Sequence, residues 1–128
     1  MRLIALLAAL LAAPASAALK DERAISEGLI VIGIAYEISE VCPEIDARRL
    51  RGLNALLSLR NAARRMGYSN AEIEAYIDDD AEKDRLEAIA RDRLARLGAR
   101  QGDVVAHCTV GRAEVAKGSS IGRLLSAR

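Results

Sequence analysis

Two cysteines, Cys42 and Cys108, constrain this chain more than any other feature. They are its only thiols, and the sequence ahead of them addresses them to an oxidising compartment. Arg2 supplies a positive start, Leu3 to Ala13 is an unbroken apolar run, Pro14 breaks it, and Ala15-Ser16-Ala17 gives a small-x-small cleavage pattern. The run is about half as long as the roughly 20 residues a membrane span needs. Residues 1–17 therefore read as a secretory signal peptide, cleaved after Ala17 or Ala18, and not as a retained anchor. No cysteine follows the cleavage site to carry a lipid. Disulfides persist after export, and an even pair of thiols reads as one bridge, Cys42 to Cys108. Closing so long a loop stabilises a fold by about 4 kcal/mol on the chain-entropy model. That is a sizeable part of the roughly 5–15 kcal/mol a domain has in all. The rival readings are a reactive thiol and pairing between chains. The first finds no Cys-x-x-Cys and only one histidine in its support.

Residues 18–128 are enough for one domain with a modest core. Arg2 is the only charge in the leader, so the 19 basic and 18 acidic residues of the whole chain balance to zero in the mature part. That balance argues against nucleic acid as a partner. So does the lack of stacking faces, since there is no Trp, no Phe and only Tyr36, Tyr68 and Tyr76. Ala, Leu, Arg and Glu dominate, and they are strong helix formers. The expected fold is all-α, a small bundle of about five helices stapled by the disulfide.

The first helix is expected from about Ala24 to Val41. Its centre, Gly28 to Tyr36, is apolar on all sides, as in the central helix of a bundle. A strand is the alternative for Leu29-Ile30-Val31-Ile32, but the helical period continues through Ile38. Glu27 and Glu37 bracket too few residues for a second membrane span, and Gly28 and Gly33 suggest close helix contacts. Pro43 ends the helix near Cys42. Asp46 then resembles an N-cap, with Ile45 and Leu50 placed as a hydrophobic staple. The second helix is expected from about Ala47 to Met66, burying Leu50, Leu53, Leu57 and Met66 and stopping at Gly67. Ser69 and Glu72 form a capping box, and Tyr68 is placed to staple onto Ile73. The third helix turns Ile73, Tyr76 and Ile77 inward. Asp78-Asp79-Asp80 interrupts it, and Asp79 restarts a fourth helix to Leu97; one bent helix is the alternative. That fourth helix is expected to bury Leu86, Ile89 or Ala90, Leu94 and Leu97. Gly98 closes it. Asp103 caps a fifth helix through Lys117, with Val104, Cys108, Gly111 and Val115 on one stripe, Gly111 permitting close approach. Ser119 or Ser120 caps a last turn carrying Ile121, Leu124 and Leu125.

Chemistry is harder to find. His107 neighbours Cys108, but adjacent helical residues point about 100° apart, so a surface histidine is expected. One histidine and two bridged sulfurs do not make a zinc site. Asp78 to Asp80 lacks the alternation and the glycine of a calcium loop and reads as a solvated junction. Glu37 and Glu40 could serve as acid and base, but exposed glutamates on an amphipathic helix are commoner. Lys117-Gly118-Ser119-Ser120 lacks the glycine and order of a phosphate loop. No catalytic, cofactor or metal residue emerges. Arg48, Arg49, Arg51, Arg60, Arg64 and Arg65 make the densest basic patch, either paired internally with an acidic helix or facing an acidic partner.

Several stretches together resemble a known family: Ala35-Tyr36-Glu37-Ile38 before Cys42, Ile45-Asp46-Ala47-Arg48, Gly67-Tyr68-Ser69 with Glu72-Ile73 and Tyr76, Cys108-x-x-Gly111-Arg112-Ala113-Glu114, and Gly118-Ser119-Ser120-Ile121-Gly122-Arg123-Leu124-Leu125. Nearly all of the mature chain is similar to a family of small exported bacterial helical proteins, of alphaproteobacterial type, known only as a domain of unknown function. The resemblance implies a secreted or periplasmic location and no activity. The expectation is a periplasmic accessory or binding protein with a protein partner, no cofactor and no membrane span after cleavage. The alternatives are a stress chaperone that exposes the Ile-rich first helix and, last, a small enzyme.

Overall fold

The computed structural model describes residues 18–128; the leader lies outside the described residues. Five helices form where the sequence places them: α1 (Arg23–Val41), α2 (Arg49–Arg65), α3 (Asn70–Ile77), α4 (Asp80–Leu97) and α5 (Val104–Lys117). Short 3-10 turns precede α1 at Leu19–Asp21 and follow α5 at Gly122–Leu124.

Local chemistry sets the boundaries. Ser69 Oγ accepts from the Glu72 amide, and the Glu72 carboxylate accepts from the Ser69 amide, completing the expected capping box. Asp79 and Asp103 cap α4 and α5 by accepting from the amides of Glu82 and Ala106. Because Asp79 caps, α3 and α4 are two helices and not one bent one. At the end of α2, Gly67 takes φ +99°. There the Tyr68 amide donates to the Ala63 carbonyl and the Gly67 amide to that of Arg64, the pairing that satisfies a helix's last carbonyls.

α1 is the central element and packs on α2, α4 and α5. Its C-terminal half carries the larger core, where Ile34, Ile38 and Cys42 meet Leu94 of α4 and Cys108 and Val110 of α5. Its N-terminal half joins a smaller core of Leu19, Ile25, Ala63 and Ile73, edged by Tyr68 and Tyr76. The disulfide forms as expected between Cys42, just past α1, and Cys108, inside α5, with the two Cα atoms 5.2 Å apart. Gly111 faces this junction: a Cβ there would lie 2.7 Å from Ile38 Cγ2 and closer still to Ile45 Cδ1.

One element was not expected. β1 (Ile45–Ala47) and β2 (Leu125–Ala127) pair antiparallel, with Ile45 opposite Ala127, Asp46 opposite Ser126 and Ala47 opposite Leu125. This corrects the reading of Asp46 as an N-cap. Its carboxylate instead accepts two hydrogen bonds, 2.7 Å each, from the Arg128 guanidinium, and α2 starts at Arg49 with no side-chain cap. It also removes the Ile45–Leu50 staple, because Ile45 is buried while Leu50 is 78% exposed. Leu125, expected in a last turn, is a buried strand residue.

A candidate apolar binding groove

The face that α2 buries differs from the expected one, and the difference leaves an apolar groove on the surface. At 100° per residue, Gly52, Ala55, Leu59, Ala62 and Ala63 share one side of α2, and Leu50, Leu53 and Leu57 share another. The small-residue side packs on α1. Leu59 fits against Gly28, with methyl carbons 2.5 and 2.9 Å from where a Cβ would sit, so any side chain there would push Leu59 aside. The leucine side is left outward: Leu53 is 52% and Leu57 47% exposed, and Met66 is exposed as well. Close approach of the two backbones wins over burial of the larger side chains, because a single leucine seated in a glycine notch brings Ala62 and Ala63 into the core beside Ile25 and Leu29.

α2 and α4 both lie on α1 but scarcely on each other, and a groove of about 650 Å³ runs between them. Leu29, Gly33 and Tyr36 of α1 form its floor. Leu56, Leu57 and Arg60 make the α2 wall, Leu86, Glu87 and Arg91 the α4 wall, and Ile73, Tyr76 and Ile77 of α3 close one end. Its size falls within the range of roughly 300–1,000 Å³ common for ligand sites. A second hollow lies beyond Tyr36 and Leu56, bounded by Ile32, Leu53, Arg48 and Leu124.

Three polar side chains that line the groove, Arg60, Tyr76 and Glu82, are held in pairs. Glu82 is buried at the closed end, where its carboxylate accepts from Arg85 Nε at 2.9 Å and Nη2 at 2.6 Å, and from the Tyr76 hydroxyl at 3.4 Å. The Arg85 hydrogen bonds outweigh burial and hold its carboxyl below the ordinary range. Burial and the Glu82 charge raise the Tyr76 phenol. Arg60 donates to Glu74 at 2.9 Å, tying α2 to α3. Nearby, Tyr68 donates to Glu22 at 2.8 Å, and desolvation with that carboxylate pushes its phenol up to about 12. These pairs fix walls; they do not converge on a point inside the groove.

The residues singled out in the sequence fall elsewhere. His107 corrects the expectation of a surface histidine: it is only 1% exposed, and Nδ1 donates to the Asp103 carbonyl at 2.6 Å. It faces the core beside Cys108 because α5 is buried on more than one side. Ile77, Leu97 and Val104, expected inside, are exposed. Asp78, Asp79 and Asp80 are exposed, as a solvated junction should be. Among the described residues no group of three or more His, Cys, Asp and Glu is placed to hold a metal ion. The basic patch divides: Arg48 and Arg51 donate to the Leu125 and Arg123 carbonyls, Arg60 pairs with Glu74, and Arg49, Arg64 and Arg65 stay on the exposed surface of α2. The groove itself was missed. The signal for it was present in the alternation of a small-residue stripe with a leucine stripe along α2.

No helix among the described residues is long and apolar enough to cross a membrane. No curated protein and no solved structure matches this chain. A family model does match, over residues 17–126, and on that extent the chain belongs to the family it describes, a family of unknown function (DUF5333).

Proposed function

We propose that this chain is an exported binding protein, not an enzyme, and that its groove receives an amphipathic helix from a protein partner. The observation that carries this reading is the set of leucines, Leu53, Leu56 and Leu57, which stay outside the core and line or border the groove. A helix laid in an apolar furrow is a recurring mode of protein recognition, read by anchors at i, i+3, i+4 and i+7. Glu82, Arg85, Arg60 and Glu74 are spent on one another, which suits a surface that selects by shape more than one that performs chemistry. Export is supported by the leader pattern and by a buried disulfide, a bond that oxidising compartments preserve. Exposure of α1 as a stress-chaperone surface has no comparable support, since Ile30, Ile34 and Ile38 are buried among three other helices.

Titrating the protein into a fluorescent amphipathic peptide with leucines at i, i+3, i+4 and i+7 and arginine edges tests the reading. Saturable binding is expected, weakened about tenfold or more by Leu86→Arg, which puts a charge on the α4 wall. Absence of saturable binding at concentrations where the chain is monomeric, or equal binding by the variant, would remove the groove as a helix receptor.

A further inference from the structure

We infer that the helix this groove is built to receive is α2 of a second copy of the chain, in a reciprocal two-fold dimer. The inference rests on the reading of the groove as a helix acceptor and names its occupant.

The first observation is a ridge beside a furrow. Leu50, Leu53 and Leu57 form an i, i+3, i+7 stripe, the pattern of a helix face that is buried, yet all three are exposed. The ridge stands on the same helix that forms one wall of the groove. Such a surface is complementary to itself. A two-fold axis that lowers the ridge of one copy into the furrow of the other must do the converse at the same time, which is the definition of an isologous interface.

The second observation is charge. α2 carries five arginines, Arg49, Arg51, Arg60, Arg64 and Arg65, and no acidic residue. They sit at its two ends, and the stretch from Gly52 to Leu59 between them is uncharged. The α4 lining of the groove is mixed, with Glu82 and Glu87 set against Lys83 and Arg91. Acidic charge gathers on the rim beside it, where the end of α3 and the start of α4 present Asp78, Asp79, Asp80 and Asp84 on the exposed surface. A helix suited to this furrow is apolar in the middle and basic at its ends. α2 has that make-up, whereas α1 and α4 spend their apolar faces in the core. Crossing two copies of α2 at their uncharged centres keeps the arginines of each away from those of the other and carries them toward the acidic rim.

The test is sedimentation equilibrium of the protein expressed with its own leader and purified after export. A mass of two chains is expected, with self-association weakened about tenfold or more by Leu57→Asp and weakened as salt is raised. The thermal midpoint of the dissociated Leu57→Asp variant should match that of dissociated wild type, since Leu57 lies outside the core. A photo-cross-linking residue at position 53 should join to the α4 wall or α1 floor of a second copy. A monomer at every accessible concentration overturns the inference, as does a dimer indifferent to Leu57→Asp or a cross-link to any other surface. If the chain is monomeric while the amphipathic peptide still binds, the second copy is excluded and the groove reading stands. If the peptide fails as well, both fall.

Discussion

Glycine positions show how narrowly single residues are fitted here. Gly111 lies inside α5 against Ile38 and Ile45, where there is no room for even a methyl group. Both neighbours are buried and held by the disulfide junction, so neither has space to retreat. Gly111→Ala should therefore destabilise by about 1–3 kcal/mol, the usual cost of forcing extra volume into a packed core. Gly52 lies inside α2 with nothing within 4 Å of its would-be Cβ. There the same change should stabilise by about 0.5–1 kcal/mol, the helix-propensity gap between glycine and alanine. Thermal unfolding of both variants followed by circular dichroism checks the pair. A midpoint for Gly111→Ala at or above that of wild type would mean that α5 and β1 are not in contact at that point.

At the scale of elements, α1 is pinned to α4 by more than apolar packing. Glu27 accepts two hydrogen bonds from Arg93, at 2.7 and 2.6 Å, and these hold its carboxyl below the ordinary 4.5. A carboxyl whose folded pKa is depressed contributes stability that is fully present above its unfolded value and is lost as pH falls through the folded one. Glu82 and Asp46 are shifted in the same direction by Arg85 and Arg128, so the urea midpoint should fall as pH drops below about 4.5. Glu27→Gln should flatten part of that fall, and an unchanged pH profile in the variant would show that the pair adds nothing. How far such elements could be foreseen depended on how local their causes are. The capping box at Ser69, the caps at Asp79 and Asp103 and the stop at Gly67 were legible because each is decided within a few residues. The orientation of α2 was not, because either of its two stripes could face inward until Gly28, on another helix, offers a notch for Leu59. The three-residue strands were illegible for a different reason. Ile45–Ala47 and Leu125–Ala127 are too short to show a period of two, and the partner of each is supplied by the other end of the chain. The groove depends on all of this, so only its raw material, the leucine stripe, could be read in advance.

The whole molecule has two ends of different character. At one, Ile38, Cys42, Ile45, Cys108 and Leu125 share a core, and the disulfide, the strand pair and the ion pair of Arg128 with Asp46 all close on it. Arg112 of α5 also pairs with Glu44 there. At the other end, Leu19, Ile25, Ala63 and Ile73 are held by packing and by surface pairs such as Arg60 with Glu74. The bridge spans a sequence separation of 66, so its removal should lower global stability by about 4 kcal/mol on the chain-entropy model. That contribution comes from restricting the unfolded chain, and it is felt only by openings in which Cys42 and Cys108 come apart. Opening of α2 and α3 alone leaves both cysteines in place. Native-state hydrogen exchange on the oxidised protein should therefore find two levels: a lower opening free energy in α2 and α3, and the global value in α5 and the C-terminal half of α1. In Cys42→Ala/Cys108→Ala the upper level should fall by about 4 kcal/mol while the lower one stays where it was, until the two merge. Equal loss of protection at both ends would mean that the fold opens as one unit, and that the leucine-faced helix beside the groove has no freedom of its own with which to engage a partner.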